Sequence, residues 1–486
     1  MKFLLVDPPH KIWEFLRAWV PSPACLQLAA YIEKDFDLEF LDCTIQENPW
    51  RHLEEKVKKL QPEVIGINNI CTCFLNEAMN AAGLVKEPSP KSVVLVGGGQ
   101  PSLIPEELLR KCGEVTLHEF LSAIEKKQDV AEIKGLACLN EKDEFVFTGV
   151  RPLIEDLDSL PMPAYHLYNM EHPYIGLSSE GDRAFLVNFA RGCSYDCSFC
   201  SEAVFWRNKW RTRSPGKMGE ELELLKEKYN RDIFYVGDNI FNLTREKSEG
   251  FIKEMIARKT GQNFWLQSRS NLIIRDQDLM EGFREAGVYQ FMLGIEHSRQ
   301  ALLDGVNKQI TSRENEEAMK ILKKHGFMVM ATLIIGLWEE TAQDRKDLMN
   351  FLRPYVDHLG LNVVTPYPGT EYYKEMKRLG RIKIDDYSKY DQIQALMPTR
   401  EEPDLNKITE EHISLMRKYY WQPKEVLKTF FSRNKILRHH HKHFLGIGVT
   451  AFKHEVFGSA MWQQETYQQF EDYIKERGVP LKVLWA

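Results

Sequence analysis

Three cysteines, Cys193, Cys197 and Cys200, stand in a C-x3-C-x2-C run, Arg191-Gly192-Cys193-Ser194-Tyr195-Asp196-Cys197-Ser198-Phe199-Cys200. The run directly follows the apolar, strand-like segment Ala184-Phe185-Leu186-Val187-Asn188-Phe189. Three thiolates can hold three corners of a cuboidal [4Fe-4S] cluster. A fourth cysteine would close it, whereas three leave one iron open to a small molecule. A zinc knuckle would need a further Cys or His at comparable spacing, and none lies nearby in the sequence. A chance group of buried thiols is the other alternative.

The spacing, with the aromatic Phe199 just before the third cysteine, resembles the radical S-adenosylmethionine (radical SAM) superfamily. The resemblance implies that the open iron chelates SAM and that an electron from the cluster cleaves it to a 5′-deoxyadenosyl radical.

At 486 residues the chain has room for two or three domains. A formal charge of −6 and a pI near 6.2 give no polyanion-binding surface, so nucleic acid is not an expected partner. The apolar start, Met1 to Val6, is cut short by Asp7-Pro8-Pro9, too soon for a signal-peptide core or a membrane span. Of the nine cysteines, six lie scattered in apolar contexts and read as packed thiols. Cys71 and Cys73 would share one face of a strand, but a second cluster needs more ligands than that pair. An oxygen-labile cluster and free thiols place the chain in a reducing cytoplasm.

Residues 1–128 alternate strand and helix signals, which predicts an α/β domain, a doubly wound parallel sheet of Rossmann type. Strands are expected at Phe3–Val6, Leu38–Asp42, Val64–Ile67 and Val93–Val96. Their C-terminal ends carry polar or glycine residues, and ligands of such sheets bind along that edge. The order strand-D-P-P, P-x-P-x-x-L-x-x-L-A-A-Y-I-E, V-x-G-I, V-V-L-V-G-G-G-x-P is similar to the cobalamin-binding domain fused to many radical SAM enzymes. The resemblance implies cobalamin contacts at Pro8, Pro9, Pro23, Asn68, Asn69, Ile70, Thr72, Gly97, Gly98, Gly99 and Pro101, with Ile70 to Leu75 as the floor beneath the corrin. Two features depart from it. Trp13 stands where D-x-H-x-x-G would have its glycine, so no histidine is expected beneath cobalt. Residues 108–117 leave no room for the usual fifth strand.

Residues 129–183 read as a connector, in which Ile154 to Ala164 resembles the stiff "dLDxLPxPa" linker of this group. Residues 184–372 predict a partial TIM-like barrel of six βα units with polar residues at the C-terminal mouth of nearly every strand. Carried over by motif, Phe199, Gly237, Asp238, Asn239, Gln267, Arg269, Glu296 and Gly336 are expected to bind SAM. Gly237 replaces the first acidic residue of the usual D-D-N run, so that side is expected to be roomier or differently charged. Arg213 is expected to pair with a carboxylate or a cobalamin amide, or equally to form a surface salt bridge. Residues 373–486 form a helical and mixed region expected on the substrate side. His439 to His443 reads as a basic helix end or exposed turn rather than a metal site.

The combined resemblance implies a cobalamin-dependent radical SAM methyltransferase acting on an unactivated carbon, one SAM methylating cobalamin and a second making the radical. No general base is required. The substrate would be a protein or peptide, as in the archaeal glutamine C-methyltransferase acting on methyl-coenzyme M reductase, or a small molecule. A ferredoxin or flavodoxin would donate electrons. The alternatives are a radical cyclase or rearrangement enzyme and a non-catalytic cobalamin sensor. RNA methylthiolation is disfavoured because its extra cluster cysteines and RNA-binding module are missing.

Overall fold

The structure, a computed structural model, describes residues 1–9, 22–69, 71–98, 113–139, 142, 144–171, 184–420, 427, 431, 438 and 465–477. The chain divides into two compact units.

The first unit opens with β1 (Lys2–Asp7), α1 (Pro23–Ile32), β2 (Asp37–Asp42), α2 (Pro49–Leu60), β3 (Val64–Asn69), α3 (Leu75–Lys86), β4 (Val93–Gly98) and α4 (Glu114–Glu125). The strands pair in parallel in the order β2-β1-β3-β4. Alternation along the strands sends Leu4, Val6, Ile65 and Ile67 into one core with α2 and α3, and Phe3, Leu5 and Val64 into another with α1 and α4. Both faces are thereby covered, as a sheet of continuous apolar runs requires. The expected strands are all present, and among the described residues the sheet has no fifth strand.

The stretch read as a connector contains an antiparallel pair, β5 (Ala137–Leu139) and β6 (Phe145–Phe147). Farther on it is tied to α1: Gln27 Nε2 donates to the Pro161 carbonyl, and the Ala164 N–H to the Leu26 carbonyl. The helix Glu465–Arg477 also groups with this unit. Its Phe470 ring sits 4.5 Å from the Trp50 ring of α2, and Tyr473 donates to Glu54. The region 373–486, read in the sequence as one segment, is therefore divided between the two units.

The second unit runs β7 (Ala184–Val187), β8 (Ala190–Arg191), α5 (Ser201–Trp206), β9 (Arg211–Thr212), α6 (Pro215–Tyr229), β10 (Ile233–Val236), α7 (Arg245–Arg258), β11 (Asn263–Ser268), α8 (Ser270–Arg275) and α9 (Met280–Glu285). It continues through β12 (Val288–Glu296), α10 (Gln300–Gly305), α11 (Ser312–Lys324), β13 (Met328–Ile335), α12 (Ala342–Leu352), β14 (His358–Val363), α13 (Glu371–Arg378) and α14 (Leu405–Tyr420). Six parallel strands lie in sequence order, β7-β10-β11-β12-β13-β14, forming an open half-barrel. Thr311 and Thr341 start α11 and α12 with reciprocal capping boxes to Glu314 and Asp344. The register between β12 and β13 shifts between Gly294 and Glu296, and Glu296 has φ +58°. Such a bulge re-aims a side chain at the strand's end.

Candidate functional site

The cysteine loop follows β8, just after β7, and is pinned from several sides of the half-barrel mouth. The Ser198 N–H donates to the Val306 carbonyl, and Asn307 and Gln309 donate to the carbonyl and carboxylate of Asp196. Asn271 Nδ2 donates to the Tyr195 hydroxyl at 3.0 Å. Arg269, at the start of α8, lies with its guanidinium carbon 3.7 Å from the Tyr195 ring centroid, and its Nη1 donates to Cys197 Sγ at 3.5 Å. Its other terminal nitrogen donates to the Lys308 carbonyl. A fixed cation thus stands against one of the three sulfurs.

The donor set fits a cluster. Cys197 is buried, while Cys193 and Cys200 are half-buried and free. Burial pushes the Cys200 thiol up to about 12, with the Glu202 carboxylate adding to the effect. Burial also raises Cys193, against the pull of Arg269 and Lys308. Burial thus favours the protonated form of Cys193 and Cys200, and binding iron would release those protons. Among the described residues no three His, Cys, Asp or Glu side chains converge on a single metal ion. Thiolates that each take a different iron of a cube have no need to converge.

Phe199 packs with Leu302, Val306, Ile334 and Leu337. Gly336 follows β13 with φ +81°, and a Cβ there would meet Val363 Cγ1 at 3.3 Å. Its N–H donates to Glu340, whose carboxylate also contacts His297 and Arg345. Glu296 pairs with Lys308 at 2.6 Å. Gln267 donates to the Tyr235 hydroxyl. Asn239 donates to Glu202 at 2.7 Å, as does the Trp206 indole at 2.9 Å.

Asp238 is fully buried and already satisfied. One oxygen accepts the Phe189 and Ala190 N–H groups at 2.6 and 2.7 Å, and the other pairs with Lys247 at 2.7 Å. It braces the chain entering the cysteine loop. The roominess expected at Gly237 is absent, because a Cβ there would lie 2.5 Å from Asn188 Oδ1 and 2.8 Å from Leu186 Cδ1. Arg213 is buried against Glu221 at 2.9 Å, the carboxylate partner among the alternatives.

In the first unit the candidate cobalamin residues collect at the C-terminal edge of the sheet. The Asn68 amide donates to Asp7 Oδ1 at 2.9 Å and to Ser22 Oγ at 3.2 Å. Burial pushes the Asp7 carboxyl up to about 6, despite hydrogen bonds from Asn68 and Tyr168. Among the described residues, neither polar atom of the buried Asn69 side-chain amide has a partner. Asn69 faces Gly98 across the β3–β4 register, and Gly98 has φ +131°. A Cβ at Gly98 would fall 1.9 Å from the Asn69 carbonyl oxygen. An orphaned amide beside a side-chain-free edge fits a flat ligand rich in amide groups. Pro8, Pro9 and Thr72 are buried just beyond the ends of β1 and β3, and Pro23 opens α1. Ile70, Gly99 and Pro101 lie outside the described residues, as do His10, Trp13 and the run His439 to His443.

Residues 187–352 match the radical SAM superfamily model, and residues 19–124 match the B12-binding domain model. The chain thus carries a B12-binding domain followed by a radical SAM domain. It is 27% identical over 454 residues to the anaerobic magnesium-protoporphyrin IX monomethyl ester cyclase of Rubrivivax gelatinosus, covering 90% of this chain and 80% of the cyclase. It is 26% identical over 452 residues to an uncharacterized methyltransferase of Pyrococcus horikoshii, covering 89% and 95%. The radical SAM methyltransferase TsrM of Kitasatospora setae, solved with cobalamin and a [4Fe-4S] cluster, shares the fold at a TM-score of 0.69 and 16% identity, covering 93% of this chain and 99% of that one.

Lys308, Tyr195 and Glu202 were not singled out in the sequence of this radical SAM enzyme. Glu202, two residues past Cys200, was the most accessible of them to local reading. Lys308 had no such local signal, since it meets Glu296 only through the β12 bulge.

Proposed function

We propose that this enzyme transfers a methyl group to an unactivated carbon, using SAM both as methyl source and as radical source. The reading is supported by the occurrence in one chain of a three-thiolate loop at a half-barrel mouth and a B12-binding sheet edge. When bound, the cluster cleaves SAM reductively to a carbon-centred radical, and cobalamin carries the methyl group.

Within that scheme Cys193, Cys197 and Cys200 hold the cluster and Arg269 steadies its sulfur environment. Asn239, Glu296, Gln267 and the Gly336 backbone line the SAM side, with Asp238 holding the loop from behind. Asn68, Asn69, Thr72 and the Gly97–Gly98 edge receive cobalamin. Electrons come from a ferredoxin or flavodoxin in a reducing cytoplasm; among the described residues no helix is long and apolar enough to cross a membrane. A peptide or protein side chain, glutamine first, is the substrate class to test, with small molecules next.

The experiment is anaerobic incubation with SAM, cobalamin, reductant and candidate substrates. A product heavier by one methylene, about 14 Da, supports the proposal. The similarity to a cyclase favours a second reading, ring closure, in which the product carries no added carbon.

A further inference from the structure

Cys71 and Cys73 have no part in the chemistry above. After β3 the extended backbone of Cys71, φ −148° and ψ 171°, turns into a short 3-10 helix, Thr72–Phe74. A strand would hold two side chains two positions apart at roughly 7 Å. The turn instead folds the thiols together, Sγ to Sγ 3.2 Å. That gap is about 1.2 Å longer than a disulfide bond. Cys71 is half-buried and within reach of solvent, whereas Cys73 is 7% exposed beside Phe74. By contrast, Cys25 and Cys43 are sealed in the cores at 0% and 1% exposure.

We propose that Cys71 and Cys73 form a redox-active dithiol whose co-reactant is a low-molecular-weight disulfide of the glutathione class. Cys71 is the entry thiol. Its thiolate attacks one sulfur of the reagent, the reagent's S–S bond breaks, and one thiol leaves with a proton. Cys73 then attacks the Cys71 sulfur, the mixed disulfide breaks, and the second thiol leaves. The pair loses two electrons and two protons, and the reagent is reduced to two thiols. The difference in burial sets the order, because a reagent reaches Cys71 before Cys73. This inference does not depend on the cofactor assignment.

The test uses the full chain, anaerobic and iron-loaded, treated with glutathione disulfide, alkylated and digested. In the parent chain the peptide containing both residues should resist alkylation and be lighter by two hydrogens. Cys73→Ser should accumulate a stable glutathione adduct on Cys71, and Cys71→Ser should carry at least about ten-fold less adduct. An unchanged far-ultraviolet circular dichroism spectrum and urea midpoint in both variants report that they are folded. A parent peptide that stays doubly alkylated, or stops at the adduct, would overturn the proposal. So would equal adduct in the two variants.

Discussion

Arg269 and Cys197, 72 positions apart, meet through a hydrogen bond of 3.5 Å from Nη1 to Sγ, and the same guanidinium stacks on Tyr195 within the cysteine loop. A donor carrying positive charge beside a cluster sulfur stabilises the more negative, reduced state. Arg269→Gln should therefore lower the cluster's midpoint potential by on the order of tens of millivolts, with Arg269→Lys in between. An EPR-monitored redox titration of the three proteins measures this.

Asp238 and Lys247 form a buried pair, and burial lowers the Lys247 pKa against the pull of Asp238. Asp238→Asn keeps an acceptor for the two backbone N–H groups but leaves the ammonium uncompensated, a loss of about 3–5 kcal/mol. Asp238→Asn combined with Lys247→Met should restore most of it, measured by urea unfolding. If Asp238 acts only as a brace, the double variant should also regain SAM affinity. If it contacts SAM, binding stays weak.

Gly98→Ala places a methyl group against the Asn69 carbonyl at an unfavourable φ. Local pairing of β3 and β4 must give way, a change of several kcal/mol concentrated at that edge. Cobalamin bound per chain, read by visible absorbance, should fall at least about ten-fold. Iron per chain should be unchanged, because the cysteines belong to the other unit.

The sheet strands were legible in the sequence because runs such as Ile233–Val236 and Val93–Gly98 are short, apolar and ended by polar or glycine residues. The cysteine loop was legible for the same local reason. What decides the surroundings of that loop was not. The space at Gly237 is taken by Asn188, one residue past the neighbouring strand β7, and Glu296 is turned by a bulge that no periodicity announces. The Phe470 helix joins α2 across nearly the whole chain, a pairing with no local pattern.

The Asp7 pKa of about 6, above the ordinary 3.8, means that the folded chain holds a proton that the unfolded chain has released between those values. Asp7 thus costs nothing below that window, and stability falls as pH rises through it, by on the order of 1–3 kcal/mol. Asp7→Asn removes the ionisation. Its gain in urea midpoint should be small at pH 4 and reach its full size by pH 7.5. A gain independent of pH would show that the carboxyl is not the source.

With SAM as both methyl donor and radical source, each product molecule would consume two SAM molecules. The direct measurement is an anaerobic incubation of the enzyme, loaded with cluster and cobalamin, with SAM carrying a CD3 group, reductant and a turned-over substrate. Methyl transfer predicts S-adenosylhomocysteine and 5′-deoxyadenosine in about equal amounts, with the CD3 group recovered in product. Formation of 5′-deoxyadenosine and product with no S-adenosylhomocysteine and no deuterium in that product would contradict the account.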